Sequence, residues 1–325
     1  MSRKLLSYTT IGLILGSTAI ADVPKVAVDI APVHSLVARV MDGVGSPKLV
    51  IPAGASPHEY SLRPSEAKSL QDADMVIWIG EDLAPWMENS IETLSKNAEV
   101  ITLLKESETK LLEFREGALF EEHDHGDHDD HDDHDDHDKE HDDHDDHDDH
   151  DDHAHGEHDP HAWLSIENAQ TWLNLVAGKL SAADPDNAGV YFANAAAARE
   201  EINDLVVEVN SILEPVRGRN FVVFHDAYQY FETSFNFPSA GAISLGDATD
   251  PSAARIAEIQ ARVKDEGINC VLSEPQYNAN LVATVLSGTD AKTGVIDPFG
   301  LGLEPGSKLY GDLIRNMANA LAGCI

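Results

Sequence analysis

Positive charge is scarce in this sequence: 22 lysines and arginines stand against 58 aspartates and glutamates, for a formal net charge of −36. So acidic a chain repels nucleic-acid backbones and anionic lipid surfaces, which excludes both as expected partners and leaves cations as the natural ones. Long apolar runs are also lacking. Beyond the N-terminal segment nothing approaches the roughly 18 consecutive apolar residues of a membrane span. There is no Gly-rich phosphate loop and no G-x-S-x-G nucleophile turn. Cysteine is limited to Cys270 and Cys324, 54 positions apart. In an exported chain an even count predicts a disulfide, which stabilises the fold by roughly 4 kcal/mol in the chain-entropy model; the alternative is two buried thiols.

Histidine, by contrast, is concentrated in one place. Thirteen of the 17 histidines lie between His123 and His158, in a run of Asp-Asp-His triplets. From Glu121 to Asp159, 22 acidic residues accompany one lysine, Lys139, so this stretch carries 21 of the 36 negative charges. Such a composition collects metal ions, yet it buries too little apolar surface to offset its conformational entropy. A disordered, solvent-exposed arm is therefore expected over residues 117–158. A plain acidic spacer would need no histidine at every third position.

The chain starts Met1-Ser2-Arg3-Lys4, continues through an apolar segment around Ile11-Gly12-Leu13-Ile14-Leu15, and reaches Ala19-Ile20-Ala21. A basic start, a short apolar core and an A-x-A site predict a secretory signal peptide over residues 1–21, cut after Ala21. The mature protein is expected to be soluble, periplasmic and monomeric.

Short β-branched runs then alternate with helical patterns. Lys25–Val28, Lys48–Ile51, Met75–Ile79 and Val100–Leu103 read as strands, with helices over Ser35–Met41, Pro64–Gln71 and Pro85–Ser95. The rhythm returns in Asn220–Phe224, Ile268–Leu272 and Gly294–Ile296. Continuous apolar strands separated by helices predict parallel sheets covered on both faces, hence an α/β fold of two parallel-sheet lobes. Ile166–Leu180 reads as one helix and Pro185–Leu213 as a second, rigid one that spans roughly 42 Å at 1.5 Å per residue. The expected organisation is an N-terminal lobe over 22–184 containing the arm, a linker helix over 185–213 and a C-terminal lobe over 214–325.

Four histidines lie outside the arm: His34, His58, His161 and His225. His58 follows the second predicted strand and His225 directly follows Val222-Val223-Phe224; Asp297 follows Gly294-Val295-Ile296. In open α/β sheets, ligands bind beyond the carboxyl ends of the strands. His161 sits just after the arm. Three imidazoles with a carboxylate or water make a tetrahedral zinc set, and strand-end placement in both halves puts it in the cleft between lobes. Each histidine singly is as readily a hydrogen-bonded structural residue. Glu59 and Asp226 adjoin ligands and are candidates to orient them, and Glu274, after a strand, is a candidate either to support a ligand or to make an inter-lobe hydrogen bond. His34 reads as a cap or loop residue, and Trp163, Phe224 and Tyr228 as packing around the site.

At these residues the chain resembles the ZnuA family of periplasmic zinc-binding components of ABC importers. The likeness is carried by Gly54-Ala55-Ser56-Pro57-His58-Glu59-Tyr60 with Arg63-Pro64-Ser65, by Asp159-Pro160-His161-Ala162-Trp163-Leu164-Ser165, by Phe224-His225-Asp226-Ala227-Tyr228 and by Asp297-Pro298. The resemblance implies two α/β lobes joined by a long helix, with a His/Asp-rich loop at the arm's position. It puts the metal ligands on His58, His161 and His225. Some members use a Glu just before the first His, where this chain has Pro57, and Asp297 matches the carboxylate used by others, so it or a water is the implied fourth ligand. Manganese-preferring relatives tend to have Glu where His225 stands, which favours zinc.

The leading expectation is a receptor, not an enzyme, that captures zinc and delivers it to the membrane permease of an ABC importer. A manganese receptor of the same family, a zinc-dependent hydrolase and a passive metal buffer are the alternatives. A hydrolase needs an open metal position for a nucleophilic water, which Asp297 would close.

Overall fold

A computed structural model describes residues 23–115, 158–244, 252–265, 267–276, 282–284 and 286–325. The expected signal peptide, and all of the expected arm except His158, lie outside the described residues.

The N-terminal sheet contains β1 (Val26–Val28), β2 (Lys48–Leu49), β3 (Met75–Trp78) and β4 (Glu99–Thr102), all parallel, in the order β2-β1-β3-β4. The C-terminal sheet repeats it with β5 (Phe221–His225), β6 (Ala242–Ser244), β7 (Cys270–Ser273) and β8 (Lys292–Val295), in the order β6-β5-β7-β8. β1, β3 and β5 are buried throughout, as strands covered on both faces must be. The predicted strand at Lys48–Ile51 is shorter than expected, although Val50 N and Ile51 N still donate to Val28 O and Asp29 O at 2.8 and 2.9 Å.

The helices are α1 (Ala31–Val40), α2 (Pro64–Gln71), α3 (Pro85–Leu94), α4 (Ile166–Ala183), α5 (Ala188–Leu213), α6 (Gln229–Phe235), α7 (Ala253–Asp265) and α8 (Leu309–Cys324). Proline opens α2 and α3 and stands second in α1, where the first-turn N–H has no intrahelical partner to lose. Ser165 caps α4, its Oγ accepting from Asn168 N at 3.2 Å. The long helix is split from the expected one: Pro185–Asn187 forms a 3-10 turn and α5 then runs 26 residues, about 39 Å at 1.5 Å per residue.

Tyr191, Ala195, Ala198, Ile202, Leu205, Val209 and Leu213 are the buried residues of α5, and their spacing of three and four keeps them on one face. That face packs against α4, α8 and α1. The result is one apolar core that continues from β1 through α4 and α5 to β5, β7 and α8. The two sheets are thereby fixed to a shared spine. A smaller, separate cluster of Val222, Phe224, Ile243, Ile259, Val263, Ile268, Val271 and Val282 fills the outer side of the C-terminal sheet. Cys270 of β7 and Cys324 of α8 are joined as the disulfide expected from the sequence, with Cα atoms 5.6 Å apart. Among the described residues no helix is long and apolar enough to cross a membrane.

Candidate metal site

Three of the four predicted ligands converge. The ring centres of His161 and His225 are 4.9 Å apart, those of His58 and His161 5.8 Å, and those of His58 and His225 6.3 Å. Each comes from a different element. His58 lies on the loop between β2 and α2, His161 just before a 3-10 turn over Ala162–Leu164, and His225 at the end of β5.

Each histidine is held from behind. The His58 loop is anchored where Trp86 Nε1 donates to Pro57 O at 2.7 Å, and Tyr60 beside it donates to Glu66 while packing on Trp86. His161 is 2% exposed; its Nδ1 lies 2.7 Å from Asp159 Oδ1, the same oxygen that accepts its backbone N–H at 2.9 Å. His225, also 2% exposed, places Nδ1 3.2 Å from Glu274 Oε1, and Glu274 itself is buried just after β7. A carboxylate accepts only from a protonated ring nitrogen, so both imidazoles carry their hydrogen on Nδ1 and their lone pair on Nε2. His161 Nε2 is buried with no hydrogen-bond partner. An orphaned lone pair of this kind is costly unless something binds it.

The triangle is close to the size a metal demands. With Zn–N near 2.1 Å and a ring centre about 1.1 Å beyond the nitrogen, three imidazoles on one tetrahedral ion put their centres about 5.2 Å apart. His161 and His225 already meet that spacing, and His58 stands back by up to about 1 Å. As they stand, no three His, Cys, Asp or Glu side chains among the described residues are arranged to hold a metal ion.

Asp297 is placed differently. Its Oδ1 accepts from Phe299 N at 2.9 Å and its Oδ2 from Leu301 N, so it turns its own loop. That loop reaches the histidines through Trp163, whose Nε1 donates to Pro298 O at 2.9 Å and whose ring lies 5.2 Å from His161 and 5.1 Å from Phe299.

Some expectations are corrected. Asp226 does not hold His225. It is ion-paired with Arg115, which also binds Glu232 at 2.7 Å, and burial holds the Asp226 carboxyl above its ordinary range in spite of Arg115. Glu59 points to solvent. His34 lies inside α1, not in a loop; its Nε2 is 3.3 Å from Pro47 O, and burial lowers its pKa. Asp159 was not anticipated as a ligand support. Its signal was its place two residues before His161, close enough for one carboxylate to bond both the backbone and the ring.

The family model for the zinc-uptake complex component A, periplasmic, matches residues 26–324. The chain belongs to this family. A high-affinity zinc uptake system protein ZnuA from Paracoccus denitrificans is 50% identical over 315 residues, covering 96% of this chain and 95% of the relative. One from Brucella abortus is 45% identical, covering 95% and 94%. In three dimensions, a crystal structure of ZnuA superposes with a TM-score of 0.72 at 20% identity, covering 93% of this chain and 99% of that one. FpvC of Pseudomonas aeruginosa in complex with Mn2+ gives 0.71 at 19%, covering 93% and 98%. At such identities the likeness is one of fold, and it is the two-lobed fold of this family.

Proposed function

We propose that this chain is a periplasmic zinc receptor that captures the ion between its lobes and delivers it to the permease of an ABC importer. The observation that carries the reading is the convergence of His58, His161 and His225, with the His161 Nε2 lone pair buried and unpartnered. Imidazole nitrogens suit zinc, and small inward movement of the His58 loop completes three bonds. Asp297 or a water supplies the fourth. The ZnuA names of the Paracoccus and Brucella relatives support zinc as the cargo.

Binding, not catalysis, fits this arrangement. Asp159 and Glu274 are both engaged with ligand imidazoles, so neither is available as a base for a metal-bound water. The test is a zinc titration of an arm-deleted protein lacking Glu122 to Glu157. His225→Ala in that background should bind zinc at least about 10-fold more weakly, since even outer-shell losses commonly cost 10 to 100-fold. An unchanged titration removes His225 from the ligand set. Competition with manganese separates the nearest alternative: three imidazoles favour zinc, and equal affinities would move the chain towards manganese receptors.

A further inference from the structure

The loop after β8 touches the N-terminal lobe twice. One tie is buried, where Trp163 binds Pro298 O and packs on Phe299. The other is at the surface. Leu301, 48% exposed, reaches across to Gly54, where an added β-carbon would lie 2.6 Å from Leu301 Cδ1.

Both sides of this contact are built for it. Gly300 and Gly302 have φ of 81° and 85°, left-handed conformations that suit glycine, so the chain turns on either side of Leu301 and presents it at a tip. Asp297 pins that tip through Leu301 N and Phe299 N. Opposite, Gly54 (φ 89°) leaves a notch in the turn closed by Ala55 N donating to Pro52 O, four residues before His58. Leu301 belongs to neither apolar core. A large apolar side chain held half in water, against a glycine next to a ligand loop, is placed for a contact that forms and breaks.

We propose that Leu301 is the latch of the metal cleft: seated on Gly54, it holds the His58 loop in the nearly closed position seen here, from which His58 reaches the ion, and it leaves Gly54 when the loop opens. The proposal rests on the zinc reading of the cleft. Because the contact belongs to the nearly closed loop and is lost in the open one, it slows escape of the ion and leaves capture by the open cleft unaffected.

The experiment loads the full mature chain with one equivalent of zinc and times transfer to a chromogenic chelator, for the wild type, Leu301→Ser, Leu301→Met and Val207→Ser. Half the burial of a leucine corresponds to a factor of about five in an equilibrium constant. Leu301→Ser should therefore release zinc about fivefold faster, with an unchanged association rate and metal-edge absorption spectrum, whereas Leu301→Met should keep slow release. Val207, 70% exposed on α5, is the control and should release like the wild type. Wild-type release from Leu301→Ser, or equal acceleration by Val207→Ser, overturns the latch alone. A wild-type chain that holds no zinc overturns the zinc reading and the latch with it.

Discussion

The two lobes share one strand order but end their central strands differently. β1 runs into Asp29, fully buried, whose two oxygens accept from Ile30 N and Ile79 N at 2.7 Å each. β5 ends on His225, which engages Glu274, the residue after the neighbouring strand β7. The fold delivers a buried polar residue to the same edge in both halves. What that residue does is decided by its type: the acid in the first lobe satisfies backbone donors and closes the turn into α1, and the imidazole in the second pairs with a buried carboxylate that follows β7. The lobes also differ in support. The N-terminal sheet is part of the large shared core, whereas the outer side of the C-terminal sheet rests on a cluster of eight buried residues, and this lobe holds the disulfide.

The largest effect should come from removing that disulfide. Cys270→Ser with Cys324→Ser reopens a 54-residue separation, a cost of about 4 kcal/mol in the chain-entropy model. The cross-link is also tightly seated: a β-carbon on Gly294 of β8 would fall 2.9 Å from Cys324 Cβ and 2.8 Å from Leu272. Urea unfolding should show the loss. A double variant as stable as the parent would mean that the smaller cluster supports the lobe unaided.

Next comes the pH dependence of the first lobe's acid. Burial pushes the Asp29 carboxyl up from 3.8 to about 7, against the pull of its backbone N–H bonds. Since the folded state holds this proton and the unfolded state releases it near pH 4, the contribution is present at low pH and is lost as pH rises through about 7. Between pH 4 and 7 it amounts to about 3 kcal/mol. Stability of Asp29→Asn, compared with the parent over that range, should lack this falling component. Parallel curves would show that Asp29 stays charged throughout.

Much of this comparison was legible in the sequence, for physical reasons that particular residues show. Val26–Val28 and Met75–Trp78 are fully buried β-branched and aromatic runs, and a strand with no polar face announces itself. Ala242–Ser244 has three residues and one β-branched side chain, too little pattern to separate it from a loop, and so β6 went unseen. His58, His161 and His225 stood out because they follow strands or the arm. Glu274 was a candidate support from its place after a strand, but which histidine it holds was not legible, because the bond joins strand ends 49 residues apart and depends on register that no local pattern encodes. Asp29 was hidden for a similar reason: its bond to Ile79 N spans 50 residues.

The two supporting carboxylates sharpen the comparison at the site. Asp159 contacts its imidazole at 2.7 Å within one short segment, and Glu274 contacts its own at 3.2 Å across strands. Asp159→Asn and Glu274→Gln keep shape and remove charge. Each should weaken zinc binding about 10-fold or more, with Asp159→Asn the greater because its bond is shorter and also fixes the His161 backbone. Calorimetric titration tests the order. Unchanged affinity in both would mean that the imidazoles are oriented by packing alone.

The smallest effects should lie on the spine, where α5 makes one bidentate ion pair to each lobe. Arg39 of α1 binds Glu201 at 3.2 and 2.8 Å, and Arg315 of α8 binds Glu208 at 2.7 and 2.9 Å. The glutamates are 62% and 44% exposed, so water screens both pairs and each contributes less than about 1 kcal/mol. In a chain of net charge −36, deleting a negative charge also relieves repulsion, which reduces the loss further. Glu201→Gln and Glu208→Gln should each lower stability by less than about 1 kcal/mol, and additively, since they lie seven residues, or about 10 Å, apart on the helix. Molar salt should abolish the difference from the parent. A loss well above 1 kcal/mol from one glutamate alone, persisting in salt, would show that the spine holds the two lobes by unequal means.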